Sequence, residues 1–343
     1  LRSVRRHSHR ALEEHVLAIE ATGLTKHFGP TIRAVDGIDL RVEEGQIFGF
    51  LGQNGSGKTT TVRMLATLTR PTAGTAGVAG VEVQANPAEV RRRVGVALQE
   101  VGLDELQTGR ELLELQGRLF GQSAREARER AAHLLEVVGL ADVADRPIRG
   151  YSGGTKRRLD LACALVHGPR VVFLDEPTTG LDPVSRDAVW RYIEELNRGQ
   201  GVTVFLTTQY LEEADRLADT VAIMDQGKIV AQGPPGELKA SIGTDSIMLT
   251  FEAEESAARA AAVLGQFEGV QRVLTSGQEV AVYLHDGASA VAAIVRLLDE
   301  AGAPAQTLVL KQPTLDDVFL QVTGHHLDVE DARPAAPSSG RNA

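Results

Sequence analysis

The stretch Gly52-Gln53-Asn54-Gly55-Ser56-Gly57-Lys58-Thr59 leaves a chain few folds to adopt. It has the form G-x-x-x-x-G-K-[ST], in which glycines let successive backbone N–H groups turn inward onto phosphate oxygens. Lys58 places a compact positive charge where β- and γ-phosphates would lie, and the Thr59 hydroxyl is a ligand for Mg²⁺. The flanks agree. Gln46 to Leu51 reads as a short buried strand, and Thr60-Thr61-Val62-Arg63-Met64-Leu65 as the start of a helix. The N-terminal N–H groups and dipole of such a helix favour an anion. Chance alone would produce this pattern in about one chain of this length in a hundred.

A second pair of elements follows about a hundred residues later. Tyr151-Ser152-Gly153-Gly154-Thr155 is another glycine-rich turn, set before the basic stretch Lys156-Arg157-Arg158-Leu159. Val171 to Leu174 is an unbroken apolar run ending in Asp175 and Glu176. A strand apolar on both faces belongs in the middle of a parallel sheet, and ligands of such sheets sit at the carboxyl ends of the strands. Asp175 is therefore placed to hold Mg²⁺, and Glu176 to orient or deprotonate an attacking water. Together the elements imply an ATP site with Mg²⁺.

At this point the chain resembles the nucleotide-binding subunits of ATP-binding cassette transporters. Tyr151 to Thr155 is similar to that family's signature, commonly Leu-Ser-Gly-Gly-Gln. Gln99, in Val96-Ala97-Leu98-Gln99-Glu100, matches its glutamine loop, which contacts Mg²⁺ and senses the membrane subunit. Gly180-Leu181-Asp182-Pro183 matches the loop that places an aspartate, here Asp182, at a dimer seam. Phe28 stands where the family has an aromatic stacked on adenine. The resemblance spans roughly residues 15 to 240. It implies nucleotide contacts from Phe28, Gly52, Asn54, Gly55, Ser56, Gly57, Lys58, Thr59, Thr60 and Gln99. It implies metal ligation by Thr59, Gln99 and Asp175, and catalysis by Glu176, Lys58 and the residue at 209. Ser152, Gly153, Gly154 and Thr155 would act on the nucleotide of a second copy in an ATP-dependent homodimer.

There is one departure. The family usually has a histidine after the strand Val202 to Leu206, and here Thr207-Thr208 is followed by Gln209. Glutamine can donate a hydrogen bond but does not titrate, so positioning can survive while any proton transfer is lost. Thr207 to Asp215 also resembles one branch, the ATPase subunits of daunorubicin/doxorubicin-type resistance exporters. The similar C-terminal element of that branch appears as Pro313 to Gly324. Drug or antibiotic efflux through a separate transmembrane permease is what this resemblance implies, with the chain peripheral on the cytoplasmic face of the membrane. The alternatives are a weakly hydrolysing ATP-binding regulatory module and a soluble cassette ATPase unconnected with transport. The latter commonly carries coiled-coil insertions, tandem cassettes or basic arms, and none is seen.

Composition is consistent with this reading. A net charge of −10 argues against a nucleic-acid partner. No stretch approaches the roughly 20 apolar residues of a membrane span. Arg2, Arg5, Arg6 and Arg10 are not followed by an apolar run, so no secretory leader is expected. Cys163 is the only cysteine. It can form no intrachain disulfide, and its apolar neighbours suggest a small buried thiol.

The expected fold is α/β, a P-loop cassette with a mainly parallel sheet and flanking helices, plus a small C-terminal α+β domain. Residues 1–14 read as a polar lead-in and 15–240 as the cassette, with a helical subdomain at about 100–165. Residues 241–324 read as a regulatory or docking domain of split β-α-β type, without a catalytic constellation. Residues 325–343 read as a disordered tail with His325 and His326 solvated. The transported molecule is not legible, because its contacts would lie in the membrane subunit.

Overall fold

The computed structural model describes residues 16–99, 102–243, 245–284 and 286–325. The expected polar lead-in and nearly all of the expected tail lie outside them. The chain divides into two compact units, with the boundary between Ile229 and Val230.

The first unit opens with β1 (Leu17–Phe28), β2 (Ile32–Glu43), β3 (Ile47–Leu51) and α1 (Lys58–Leu65). β4 (Ala73–Val78), β5 (Val81–Glu82), α2 (Pro87–Arg93) and β6 (Val94–Ala97) follow. Helices α3 (Gly109–Leu119) and α4 (Ala124–Val137) come next. Each is started by a reciprocal capping box, Thr108 with Glu111 and Ser123 with Glu126, which satisfies two otherwise orphaned N–H groups. Then come α5 (Gly153–Leu165), β7 (Val171–Asp175), α6 (Pro183–Gln200), β8 (Thr203–Thr208), α7 (Leu211–Leu217), β9 (Thr220–Asp225) and β10 (Lys228–Gly233). The unit boundary falls inside β10.

Among the described residues these strands form two sheets. One is six-stranded, in the order β10-β9-β3-β8-β7-β6, and its β9, β3, β8, β7 and β6 pair in parallel. The other, β2-β1-β4-β5, is antiparallel and was not anticipated from the sequence. β3, β7 and β8 are buried at every residue because both faces of the sheet are covered. Side chains alternate between two cores. Ile47, Val172, Leu174, Val204 and Leu206 enter one, and Phe48, Phe50, Val171, Phe173 and Phe205 enter the other. Phe205 sits centrally there. It stacks on Phe48 at 5.3 Å and meets Phe50 at 5.5 Å and Phe173 at 5.7 Å between ring centroids. Phe48, Phe205 and Phe173 are in register across three strands. Cys163 is partly buried rather than enclosed, and burial pushes its thiol up to about 12.

The second unit contains α8 (Pro235–Ile242), β11 (Asp245–Thr250), α9 (Glu254–Leu264), β12 (Val270–Ser276), β13 (Glu279–Leu284), α10 (Gly287–Glu300), β14 (Thr307–Lys311) and α11 (Leu315–Thr323). Its antiparallel sheet has the order β12-β13-β11-β14. The β-α-β-β-α-β succession with the hairpin strand β13 inserted beside β11 is the split β-α-β arrangement. Ile247, Leu249 and Phe251 alternate inward onto Ala257, Ala260, Leu264, Ile294 and Leu298. His325, expected to be solvated, is half-buried and lies edge-on to Phe319 at 5.7 Å.

Phe205→Ala should empty a fully buried, three-ring contact. Loss of about 3–5 kcal/mol is expected for such a truncation, read as a lowered urea midpoint of the unit that holds the six-stranded sheet.

Candidate functional site

The site is built where β3, β7 and β8, three adjacent parallel strands, end. The loop after β3 carries the cradle, the last residue of β7 is Asp175, and β8 ends at Thr207 and Thr208, just before Gln209. Gln99 follows β6, the neighbour of β7. Residues distant in sequence thus converge because the strands run side by side.

The cradle needs its glycines for two separate reasons. Gly55 and Gly57 adopt φ of +82° and +114°, which side-chain-bearing residues rarely reach. Gly52 is sterically required, since a Cβ there would lie 2.4 Å from Met224 O, and one on Gly57 would lie 2.2 Å from Ala34 O. That second approach also runs β2 past the cradle. Phe28 is on the same β1–β2 hairpin, 47% exposed, with Lys26 Nζ 5.1 Å from its ring centroid. Asn54 is exposed, Thr60 is half-buried, and Ser56 is buried with no partner for its Oγ among the described residues.

Lys58 is 4% exposed. Its Nζ donates to Gly52 O at 2.7 Å and Gln53 O at 2.9 Å, and stands 3.9 Å from Glu176 Oε1. Burial pulls its pKa below the ordinary lysine value, while the charges of Glu176 and Asp175 resist that pull. Asp175 is wholly buried. Its Oδ1 accepts from Thr207 Oγ1 at 2.6 Å and from Thr59 Oγ1 at 3.1 Å. Its Oδ2 is buried without a partner among the described residues. A buried carboxylate oxygen left open beside a threonine hydroxyl is a donor pair that suits Mg²⁺, so the residues present fit that ion.

Glu176 has φ +49°, a left-handed conformation that costs a non-glycine residue about 1–3 kcal/mol. Its N–H donates to Thr207 O and Thr207 Oγ1, both at 3.1 Å. Its Oε2 accepts from Gln99 Nε2 at 3.3 Å and Thr179 Oγ1 at 3.2 Å. Gln209 is 6% exposed, and its Oε1 is buried without a partner among the described residues. The structure therefore brings Lys58, Thr59, Gln99, Asp175 and Glu176 into one bonded cluster, with Gln209 at the end of the adjoining strand.

The signature residues are organised separately. Ser152 caps α5, with its Oγ accepting from Thr155 N at 3.2 Å and lying 2.8 Å from Thr155 Oγ1. Ser152 and Gly153 are exposed. Gly154 packs so closely on the start of α6 that a Cβ would lie 2.7 Å from Ser185 Oγ. Asp182 caps α6, accepting from Val184 N at 3.1 Å, Ser185 N at 3.0 Å and Ser185 Oγ at 2.6 Å. These bonds with Ser185 hold its carboxyl below the usual range.

Two residues of the site were not singled out from sequence. Thr207 bridges the two acids, and a threonine in a buried strand gave no local hint of it. Glu213, on α7, is fully buried and accepts from Thr178 Oγ1 and Trp190 Nε1, each at 2.9 Å. Burial pushes its carboxyl above the usual range. It ties the turn after Glu176 to α6. The only signal in the sequence was an acid at a position where α7 needs an inward face.

Residues 35–179 match the ABC transporter family, and residues 233–323 match the family described as ATP-binding protein DrrA1-3-like, C-terminal domain. The daunorubicin/doxorubicin resistance ATP-binding protein DrrA of Streptomyces peucetius is 46% identical over 320 residues, 93% of this chain and 96% of that protein. The chain belongs to the ATP-binding subunits of ABC transporters. The Nod factor export ATP-binding protein I of Ralstonia nicotianae is 38% identical over 313 residues, covering 91% of this ABC ATPase and 95% of its own length. A dimeric ATP-binding cassette in a post-hydrolysis state with ADP and Pi superposes with a TM-score of 0.59. It is 25% identical and covers 63% of this chain and 98% of its own. The protein is an ATPase.

Thr207→Val removes the donor to Asp175 and one acceptor of the Glu176 N–H, whereas Thr207→Ser keeps both. The valine variant should lose about 1–3 kcal/mol of stability and most of its ATPase rate. The serine variant should stay near the parent in urea denaturation and in steady-state turnover.

Proposed function

We propose that this chain is the ATP-hydrolysing motor of an exporter that moves a drug or antibiotic through a separate membrane-spanning permease. It would work from the cytoplasmic face of the membrane, as a homodimer that closes around ATP. The single observation behind the motor role is the buried cluster of Lys58, Asp175 and Glu176 at the ends of β3 and β7. The cargo rests on the names of relatives, which concern daunorubicin/doxorubicin resistance and Nod factor export. Among the described residues no helix is long and apolar enough to cross a membrane, so a partner would supply the spans. An open groove of about 290 Å³ beside β6 and α3, where Leu68, Leu112 and Phe120 mix with Arg91, Asp160 and His167, would be the seat for such a partner.

In this reading Lys58 turns from the loop carbonyls to the β- and γ-phosphates, and the cradle N–H groups take the phosphate oxygens. Thr59, Asp175 and Gln99 would hold Mg²⁺, which neutralises phosphate charge when bound. Phe28 offers its exposed face to the adenine. Glu176 accepts a hydrogen bond from water and takes its proton as the water oxygen attacks the γ-phosphorus. The bond from that phosphorus to the bridging oxygen breaks, leaving ADP and phosphate. Gln209 would turn its amide about the last torsion to give an N–H to the γ-phosphate. Ser152, Gly153, Gly154 and Thr155 of the second copy would complete the shell, and Asp182 would lie at the seam. Ser152 Oγ pairs with Thr155 Oγ1, where either hydroxyl can donate; with Thr155 as the donor, the exposed Ser152 keeps its proton for the γ-phosphate.

Glu176→Gln should bind ATP like the parent and lose on the order of 100-fold in turnover, as expected for removal of a general base. It should also sediment as a dimer with ATP and a monomer without it. Parental turnover would remove Glu176 from the role, and an unchanged monomer in both conditions would remove the shared-nucleotide dimer.

Gln209→Ala should lower turnover and spare ATP affinity, because the lost hydrogen bond serves the γ-phosphate alone. Gln209→His should remain active and acquire a pH dependence near the imidazole range, about pH 6–7, absent from the parent. Steady-state rates across pH for the three proteins separate these outcomes.

A further inference from the structure

Arg157 is a buried cation that the ATP site does not obviously need. It lies one turn into α5, just past the signature glycines, and is 5% exposed. Its guanidinium pairs with Asp160 on its own helix and reaches beyond it to two loops. Nε donates to Pro177 O at 3.0 Å and Nη2 to Asp175 O at 2.9 Å. Nη1 donates to Leu98 O and to Asp160 Oδ2, the latter at 3.2 Å. Three of these four acceptors are backbone carbonyls, and their places are informative. Asp175 and Pro177 flank Glu176 on either side. Leu98 immediately precedes Gln99, whose Nε2 meets Glu176 Oε2 at 3.3 Å.

A left-handed glutamate persists only where its surroundings over-determine it. Thr207 holds the N–H of Glu176, and Arg157 holds the peptide carbonyls before and after it. The same side chain anchors the peptide that leads into Gln99, so one rigid group registers both members of the Gln99–Glu176 contact. The planar fork of arginine makes this possible, since its donors diverge in fixed directions that a lysine ammonium cannot reproduce. The helix is itself seated tightly. At Gly95 of β6 a Cβ would lie 2.1 Å from Ala164 O of α5. From the Ser152 cap to Arg157 is about 1.4 helical turns, roughly 7.5 Å of axial rise.

We propose that Arg157 is a positioning residue that sets Glu176 and Gln99 in working register and couples that register to the first turn of α5. A nucleotide engaging the signature turn would then be felt at the carboxylate that activates water. The proposal rests on the reading of Glu176 given above. Arg157 is buried and its guanidinium is taken up by protein acceptors, so its effect should fall on turnover rather than on binding.

The test uses the full chain and compares Arg157→Lys with the double variant Arg157→Gln/Asp160→Asn. The first keeps a cation beside Asp160 and loses the fork. The second removes the buried pair together, so no lone charge is left inside. ATPase rates against ATP concentration give kcat and KM, a fluorescent ATP analogue gives Kd, and thermal melting reports folding. For both variants kcat should fall by on the order of tenfold or more, the scale of a misplaced reacting group. KM and Kd should stay within about threefold, since uniform binding is untouched. A parental kcat in either folded variant would overturn the proposal. So would activity lost only in step with melting or nucleotide affinity, including loss through failure to fold, because that is what a purely structural arginine predicts. Glu176→Gln measured alongside separates the two claims. If it is inactive while Arg157→Lys is parental, the positioning role alone fails. If it hydrolyses ATP at the parental rate, the assignment of Glu176 fails first.

Discussion

Three charged side chains, Lys58, Asp175 and Glu176, are held out of water within one cluster. An isolated buried charge is prohibitively costly, and a buried pair is tolerated only when its remaining donors and acceptors are met. The surrounding structure meets them. Loop carbonyls take the ammonium, threonine hydroxyls take Asp175 Oδ1, and Gln99 and Thr179 take Glu176 Oε2. Among the described residues Asp175 Oδ2 and Ser56 Oγ are left open. A site that is mostly satisfied yet retains buried, unpaired oxygens is prepared for a ligand, because binding removes a desolvation cost already incurred.

The doubly covered sheet makes this arrangement rigid. Alternate residues of β3, β7 and β8 point into two separate cores, so no strand can slip without moving apolar side chains to the wrong face. Strand ends fixed in this way can carry a strained glutamate and a loop whose glycines approach Met224 O and Ala34 O closely. The aromatic contact of Phe205 with Phe48 and Phe173 ties together the same three strands whose ends carry the chemistry.

Several residues serve the fold and the site at once. Asp182 caps the 18-residue α6, and in the proposed homodimer it would also lie at the seam. Ser152 caps α5 while remaining exposed. Glu213 links Thr178 to Trp190. Such double duty gives a physical route by which events at the helix starts reach the catalytic turn. Gln209 differs in kind. A glutamine there keeps the reach of a hydrogen bond and gives up titration, so in the proposed mechanism proton transfer would fall to Glu176.

By itself the sequence determined the strand–loop–helix of the cradle, the buried run ending in Asp175 and Glu176, and the split β-α-β type of the second unit. These are local matters: glycine's backbone freedom, apolar periodicity and capping chemistry act over a handful of residues. The tertiary structure alone decided the strand order, the separate antiparallel sheet and the partners of the buried charges. Thr207 reaches Asp175 across 32 residues, and Arg157 reaches Leu98 across 59. No periodicity records such pairings, because they exist only once the sheet has brought the strand ends together. A threonine in a strand and an arginine in a basic helix read as ordinary until burial removes water and leaves each of them one set of partners.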